Sequence, residues 1–223
     1  MPLPPGQHAA SRVGPTSPEL QDEFPGLALH YVIVERGSGR SPAALKQRLR
    51  ILADRFSGAQ AINLRQRPIP SAYRVFFRQI GLDPDRQPTP VEELALERMK
   101  QGGFASRSLL DDALTIAIME SGVALRAFDA DRVGEPPGIR SSAAGERLEG
   151  RPGELPAGTL VIADRERPVA LLFGALAAGR GVRRASSRTL LCAIQVTGVP
   201  AVAVAEALWL AAGVLVEGGR NPV

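Results

Sequence analysis

Apolar positions along this chain repeat with two different periods, and the period decides which element each stretch predicts. Leu45, Leu49, Leu52, Ala53 and Phe56 fall three or four residues apart and predict a helix with one buried face, with Ser41 as its cap and Pro42 at its first position. Lys46, Arg48, Arg50 and Arg55 lie mostly off that face, so they read as its solvated side. A second stripe, Val91, Leu94, Ala95 and Met99, opens on Thr89 and Pro90, with Glu92 completing a capping box, and ends at Gly102 and Gly103. From Leu109 to Met119 so few positions are polar that the helix should be buried on most sides. Ser108 caps it, with the Asp111 carboxylate returning to the cap amide, and Gly122 suits the left-handed residue that stops it. Pro200 to Val216 predicts a last helix, with Trp209 as its core anchor.

Period-two and β-branched runs predict strands at Leu27–Val34, from Gly122 on to Asp129, and at Leu190–Val196. Thr159–Ala163 and Val169–Phe173 flank an acidic turn and read as a hairpin, with a shorter candidate at Ile139–Ser141. Residues 1–25 are rich in Pro, Ser, Gly and charge and are expected to form a flexible leader. Residues 26–219 are expected to form one domain of the α+β class, with 59–70 as an internal linker.

Composition narrows the chemistry. Among 223 residues, 44% are apolar, enough for an ordinary core, and 27 Lys and Arg stand against 23 Asp and Glu. The pI near 9.9 keeps the protein cationic and permits a polyanionic partner. One cysteine, Cys192, excludes an internal disulfide and a Cys-rich zinc site, and it reads as a small hydrophobe in a strand. Two histidines, His8 and His30, leave little for a metal site or a conventional triad, so neither metal nor cofactor is expected. The first residues hold no continuous apolar core of a signal peptide, and the longest apolar run carries Glu206, so no membrane span and a cytoplasmic location are expected. Aromatic residues make up only 4% of the chain, which disfavours recognition of single strands by stacking; Tyr73, Phe76 and Phe77 read as core rather than as a base platform.

The densest basic cluster is Arg180, Arg183, Arg184 and Arg188, set among Gly and Ser. Such a loop offers guanidinium forks and backbone amides to phosphates, and it serves equally as a solubilising surface turn. Asp112, Glu120 and Asp129 are carboxylates able to orient a water, while their places at helix ends and in a turn give each a local role as well.

Three blocks, in order, resemble one family. The first is Y-R-V-F-F-R-Q-I-G-L-D-P-D-R-Q-P-T-P-V-E-E-L-A-L-E-R-M at 73–99; the second is L-L-D-D-A-L-T-I-A-I-M-E-S-G-V-A-L-R-A-F-D at 109–129; the third is L-V-I-A-D-R-E-R-P-V-A-L at 160–171. Together they resemble the B3/B4 domain, the tRNA-binding and editing module, of the phenylalanyl-tRNA synthetase β-subunit, and in particular its free-standing forms. The resemblance implies a three-layer α+β domain with a β-sandwich of unusual topology and flanking helices. It also places Leu114, Thr115 and Arg126 where the family's editing pocket has Thr, Asn and His, and Gly181 where it has a glutamate. With that polar set replaced, removal of tyrosine is disfavoured. The synthetase's catalytic core and anticodon-binding domain find no room in this length.

Three functions follow as expectations. One is binding of tRNA or another structured RNA through Arg180, Arg183, Arg184 and Arg188. A second is hydrolysis of a mischarged aminoacyl-tRNA in trans, with Glu120 and Arg126 as catalytic candidates and Asp112, Leu114, Thr115, Asp129 and Gly181 about the pocket. The third is a small-molecule-binding protein that keeps the pocket without tRNA or hydrolysis.

Overall fold

Every residue from Thr189 to Ile194 is buried, which is why that stretch shows no polar alternation: it belongs to the strand β7 (Thr189–Gln195) inside a four-stranded antiparallel sheet. A computed structural model describes residues 11–56, 60 and 63–218. In chain order they form β1 (Arg12–Gly14), α1 (Pro18–Glu23), β2 (Ala28–Val34), α2 (Ala43–Arg55), α3 (Pro68–Gln79), α4 (Pro90–Gln101), α5 (Leu109–Ser121), β3 (Ala124–Asp129), β4 (Gly138–Ser141), β5 (Leu160–Ala163), β6 (Pro168–Leu171), β7 and α6 (Ala201–Glu217). The fold is α+β.

The first sheet has the order β1-β2-β7-β3, with Ala28 opposite Gln195, Val34 opposite Thr189 and Ala124 opposite Ile194. Helix α6 packs on α5 and against β7 and β2, so apolar side chains from helices and sheet meet in one core. A second antiparallel sheet, β4-β5-β6, joins that core through Ile139, Ile162 and Val169. Alternation along β5 turns its neighbours Val161 and Ala163 the other way, onto a satellite cluster with Leu148, Leu155 and Ala177. The hairpin between β5 and β6 is closed by Asp164, whose Oδ1 accepts from the amides of Glu166 and Arg167, both at 3.0 Å.

Between α3 and α4 a charged network fixes the connecting loop. Arg74, itself buried, donates to Glu92 at 2.7 Å and to Asp85 at 2.6 Å, while the other Glu92 oxygen accepts from the Thr89 amide at 3.0 Å and hydroxyl at 2.8 Å. The expected capping box is therefore present and carries a second duty, because the same carboxylate neutralises a buried guanidinium. The Arg74 hydrogen bond also holds the Asp85 carboxyl below the usual carboxylate range.

Several expectations need correction. Part of the supposed flexible leader is built into the fold: Arg12–Gly14 pairs with β2, the Ser17 amide donates to Ile139 O at 3.0 Å, the Ile139 amide donates to Pro15 O at 2.8 Å, and Leu20 enters the core. This segment stitches the two sheets together by backbone bonds, which need no apolar side chains and so leave no trace in composition. Residues 1–10 lie outside the described residues. Ser41 does not cap α2; Pro42, in extended conformation, takes the cap position, and Ser41 Oγ is buried with no hydrogen-bond partner among the described residues. The expected linker contains buried Leu64, and Pro68–Pro70 already open α3. Asp111 meets the Ser108 hydroxyl at 2.7 Å rather than the cap amide. Met99 and Trp209, placed in the core by periodicity, are 47% and 44% exposed.

Candidate functional site

A cleft of about 480 Å³ opens where α4 and α5 stand over the start of β3 and the turn that follows β6. Helix α5 reaches it in a defined rotation: the Ser108 hydroxyl accepts from the Asp111 amide at 3.1 Å, and Leu114, Thr115 and Ile118, at i, i+1 and i+4, then share the face that lines the cleft. Gly122, at φ 78°, reverses the chain into β3, so that Ala124, Leu125 and Arg126 come back beneath that face. A side chain at Gly122 would need a backbone conformation that L-residues avoid.

Arg126 is the cleft's most constrained charge. Its Nη1 donates to the carbonyls of Leu171 at 2.8 Å and Leu172 at 3.0 Å, and its Nη2 donates to Gly174 O. These carbonyls belong to the end of β6 and the turn beyond, where ladder partners run out, so the guanidinium takes the place of a missing strand. Burial pulls the Arg126 pKa down to about 10, and the side chain remains cationic at neutral pH. Phe173 sits in the same turn among Tyr73, Phe76 and Phe77, with ring centroids 6.2, 6.0 and 4.7 Å away. Phe173, Gly174, Leu172 and Gln87 also border a neighbouring cavity of about 770 Å³, so this turn is the wall between two hollows.

Of the residues singled out in the sequence, the cleft gathers Leu114, Thr115 and Arg126. Glu120 does not reach it: its carboxylate pairs with Arg48 of α2 at 3.2 Å. Asp112 is buried behind the lining, accepting from Ser106 Oγ at 2.6 Å and from the Arg107 amide at 3.2 Å, which fixes the entry to α5. Asp129 lies at the opposite end of β3, where it accepts from Ser186 Oγ at 2.6 Å and its own amide donates to Arg180 O at 2.9 Å. Gly181 follows in that loop, so it and Asp129 form a separate locus with the basic cluster.

Within the cluster the arginines divide by role. Arg180 is largely covered and donates to Arg132 O and to Glu149. Arg188 pairs with Glu35 at 3.0 Å and Asp131 at 2.9 Å. Arg183 and Arg184 are exposed, and neither side chain makes a hydrogen bond or ion pair among the described residues.

Reading the sequence missed Glu93, Arg107, Gln87 and Phe173 as lining residues, and took Asp111 only as part of a cap. Glu93 had a signal, since it stands one turn from Pro90 and beside Leu94 on α4, yet only the pairing of α4 with α5 decides that this face looks into a cleft. Among the described residues, no group of three or more His, Cys, Asp or Glu side chains converges to hold a metal ion. No helix among them is long and apolar enough to cross a membrane.

The fold is thus a mixed domain of two antiparallel sheets and flanking helices, with a cleft between two helices and a strand end. The chain belongs to the B3/4 domain family, which its residues 72–205 match. It is similar to the phenylalanine–tRNA ligase β-subunit of Xanthomonas oryzae pv. oryzae (strain MAFF 311018), with 42% identity over 101 residues, 43% of this chain and 12% of that protein. The corresponding subunit of Xylella fastidiosa (strain Temecula1 / ATCC 700964) is 37% identical over 94 residues, covering 41% and 12%. That of Mannheimia succiniciproducens is 34% identical over 88 residues, covering 37% and 11%. The similarity thus spans about an eighth of these ligase subunits.

Proposed function

We propose that this protein binds tRNA or another structured RNA, with the cleft beside Arg126 receiving the group at the RNA's 3′ end. One observation carries the reading. Leu114 and Thr115 on α5 and Arg126 on β3, the positions that the family resemblance assigns to the editing pocket, converge on one cleft of about 480 Å³ although they come from different elements. The volume suits a small group rather than a helix or a strand. Arg183 and Arg184 are the cluster's free cations for the phosphate backbone.

The groups about the cleft favour holding over hydrolysing. Glu120 is outside it, paired with Arg48, and is not placed to orient a water there, while Arg126 gives three of its four Nη hydrogens to backbone carbonyls. The test is binding of unfractionated tRNA across 50–300 mM salt, run beside deacylation of a panel of mischarged tRNAs. Affinity should fall steeply with salt, and Arg183→Ala with Arg184→Ala should flatten the log–log slope by about 2, roughly one per phosphate contact removed. No turnover is expected on any charged tRNA. Absence of tRNA binding at the lowest salt would refute the reading, and turnover would replace it with trans-editing.

A further inference from the structure

At the end of β3 away from the cleft two loops meet, and only one of them belongs to the basic cluster legible in the sequence. The other is the turn between β2 and α2, residues 35–40, E-R-G-S-G-R, which precedes the residues matched by the family. The fold clamps it to the loop of residues 180–188 and the start of β7. Arg188 donates to Glu35 at 3.0 Å, and the Thr189 hydroxyl donates to Arg36 O at 2.6 Å. Gly37 lies so close to Ser186 that a Cβ there would stand 1.7 Å from the Ser186 carbonyl oxygen, so glycine is what lets the two loops touch. Further on, the Gly39 carbonyl accepts from the Leu109 amide at 2.8 Å and ties the turn to the start of α5.

The charges gathered here do not cancel. Residues 35–40, 129–132 and 180–188 hold three carboxylates, and all are engaged: Glu35 and Asp131 by Arg188, and Asp129 by Ser186 Oγ at 2.6 Å and Arg132 at 3.6 Å. Arg40, Arg183 and Arg184 are exposed and pair with no carboxylate among the described residues. Ser38, between two glycines, makes no hydrogen bond among the described residues, by amide or by hydroxyl. Guanidinium forks, an amide and a hydroxyl, all without an acceptor, are the donors that phosphodiester oxygens take.

Resting on the RNA reading above, we propose that residues 35–40 and 180–188 form one phosphate-binding surface, in which Ser38 and Arg40 take a phosphate of the RNA backbone additional to those met by Arg183 and Arg184. Part of the RNA contact then lies outside the family-matched residues, on a turn that Gly37 allows to dock.

Binding of unfractionated tRNA and of inorganic polyphosphate to the full chain is followed across the same salt range for wild type, Arg40→Ala, Arg40→Lys, Arg183→Ala with Arg184→Ala, and all three alanine substitutions together. Arg78→Ala is the control: Arg78 is exposed and equally without an ion pair among the described residues, but it lies on α3, which meets β3 at the Ala124 end. Arg40→Ala should flatten the log–log slope for tRNA by about 1 and the triple substitution by about 3, roughly one per phosphate contact removed. Arg40→Lys keeps the charge and should keep the wild-type slope, as should Arg78→Ala. A wild-type slope in Arg40→Ala, or an equal loss in Arg78→Ala, overturns the proposal. Binding of polyphosphate but not of tRNA, weakened by Arg40→Ala, would sink the RNA reading and leave the phosphate surface standing; failure to bind either probe overturns both.

Discussion

Replacing Tyr73 by Phe removes one oxygen from the centre of the protein and tests how β3 is held to β7 below the cleft. Tyr73 of α3 is 1% exposed; its hydroxyl donates to Ile194 O and accepts from the Ala124 amide at 3.0 Å. Ala124 and Ile194 are cross-strand partners at the end of the β3–β7 ladder, and both line the cleft. The ring of Phe fills the same space, so burial of apolar area hardly changes. What changes is that an N–H and a C=O lose their shared partner where water does not reach. Each orphaned group costs about 1–2 kcal/mol, for a total of roughly 2–4 kcal/mol. In a protein of this size that lowers Tm by about 5–12 °C. Urea unfolding should show the midpoint shifted with m unchanged, and hydrogen exchange should show faster exchange of the Ala124 amide. A loss under about 1 kcal/mol, with Ala124 still protected, would refute the claim that this hydroxyl closes the ladder.

Burial raises both the Tyr73 phenol and the Cys192 thiol above their ordinary values, so both stay neutral in the fold. The unfolded chain releases these protons first, from about pH 9 for a thiol and pH 10 for a phenol. Their contribution is therefore complete below about pH 9 and declines as the pH rises; unfolding followed between pH 8 and 11 should show wild type losing stability more steeply than Cys192→Ala or Tyr73→Phe. Glu92→Ala leaves buried Arg74 with Asp85 as its remaining carboxylate partner and strips the Thr89 amide of its acceptor, an expected loss of about 3 kcal/mol in chemical denaturation. Gly122→Ala forces an L-residue to φ 78° and sets its Cβ 3.2 Å from Pro70 Cδ, which should cost about 1–2 kcal/mol by thermal melting.

The two loci identified here lie at opposite ends of β3. Leu114, Thr115 and Arg126 belong to the cleft end, and Asp129 with the Arg180–Arg188 loop to the other. Mutations in the two loci should therefore act separately on salt slope and on recognition of the terminal group.

Local chemistry was enough to determine much of the chain. The buried α5, its stop at Gly122, the Thr89–Glu92 capping box, the Asp164 hairpin and the central run of β7 each depend on neighbours within a few residues, so the sequence carries them openly. The three family-like blocks were likewise legible, because motif spacing is a property of the chain itself. Which face of an exposed-looking segment meets another was not. Backbone pairing built Arg12–Gly14 into the sheet with no apolar signal, and periodicity could not tell that Trp209 and Met99 face outward. For the site the division is sharper. Sequence named Leu114, Thr115 and Arg126, but tertiary structure alone turned Arg126 onto the Leu171–Gly174 carbonyls and took Glu120 away to Arg48. The reason is physical: a charged side chain's role is set by the partners that reach it, and those partners here come from segments up to 153 residues apart.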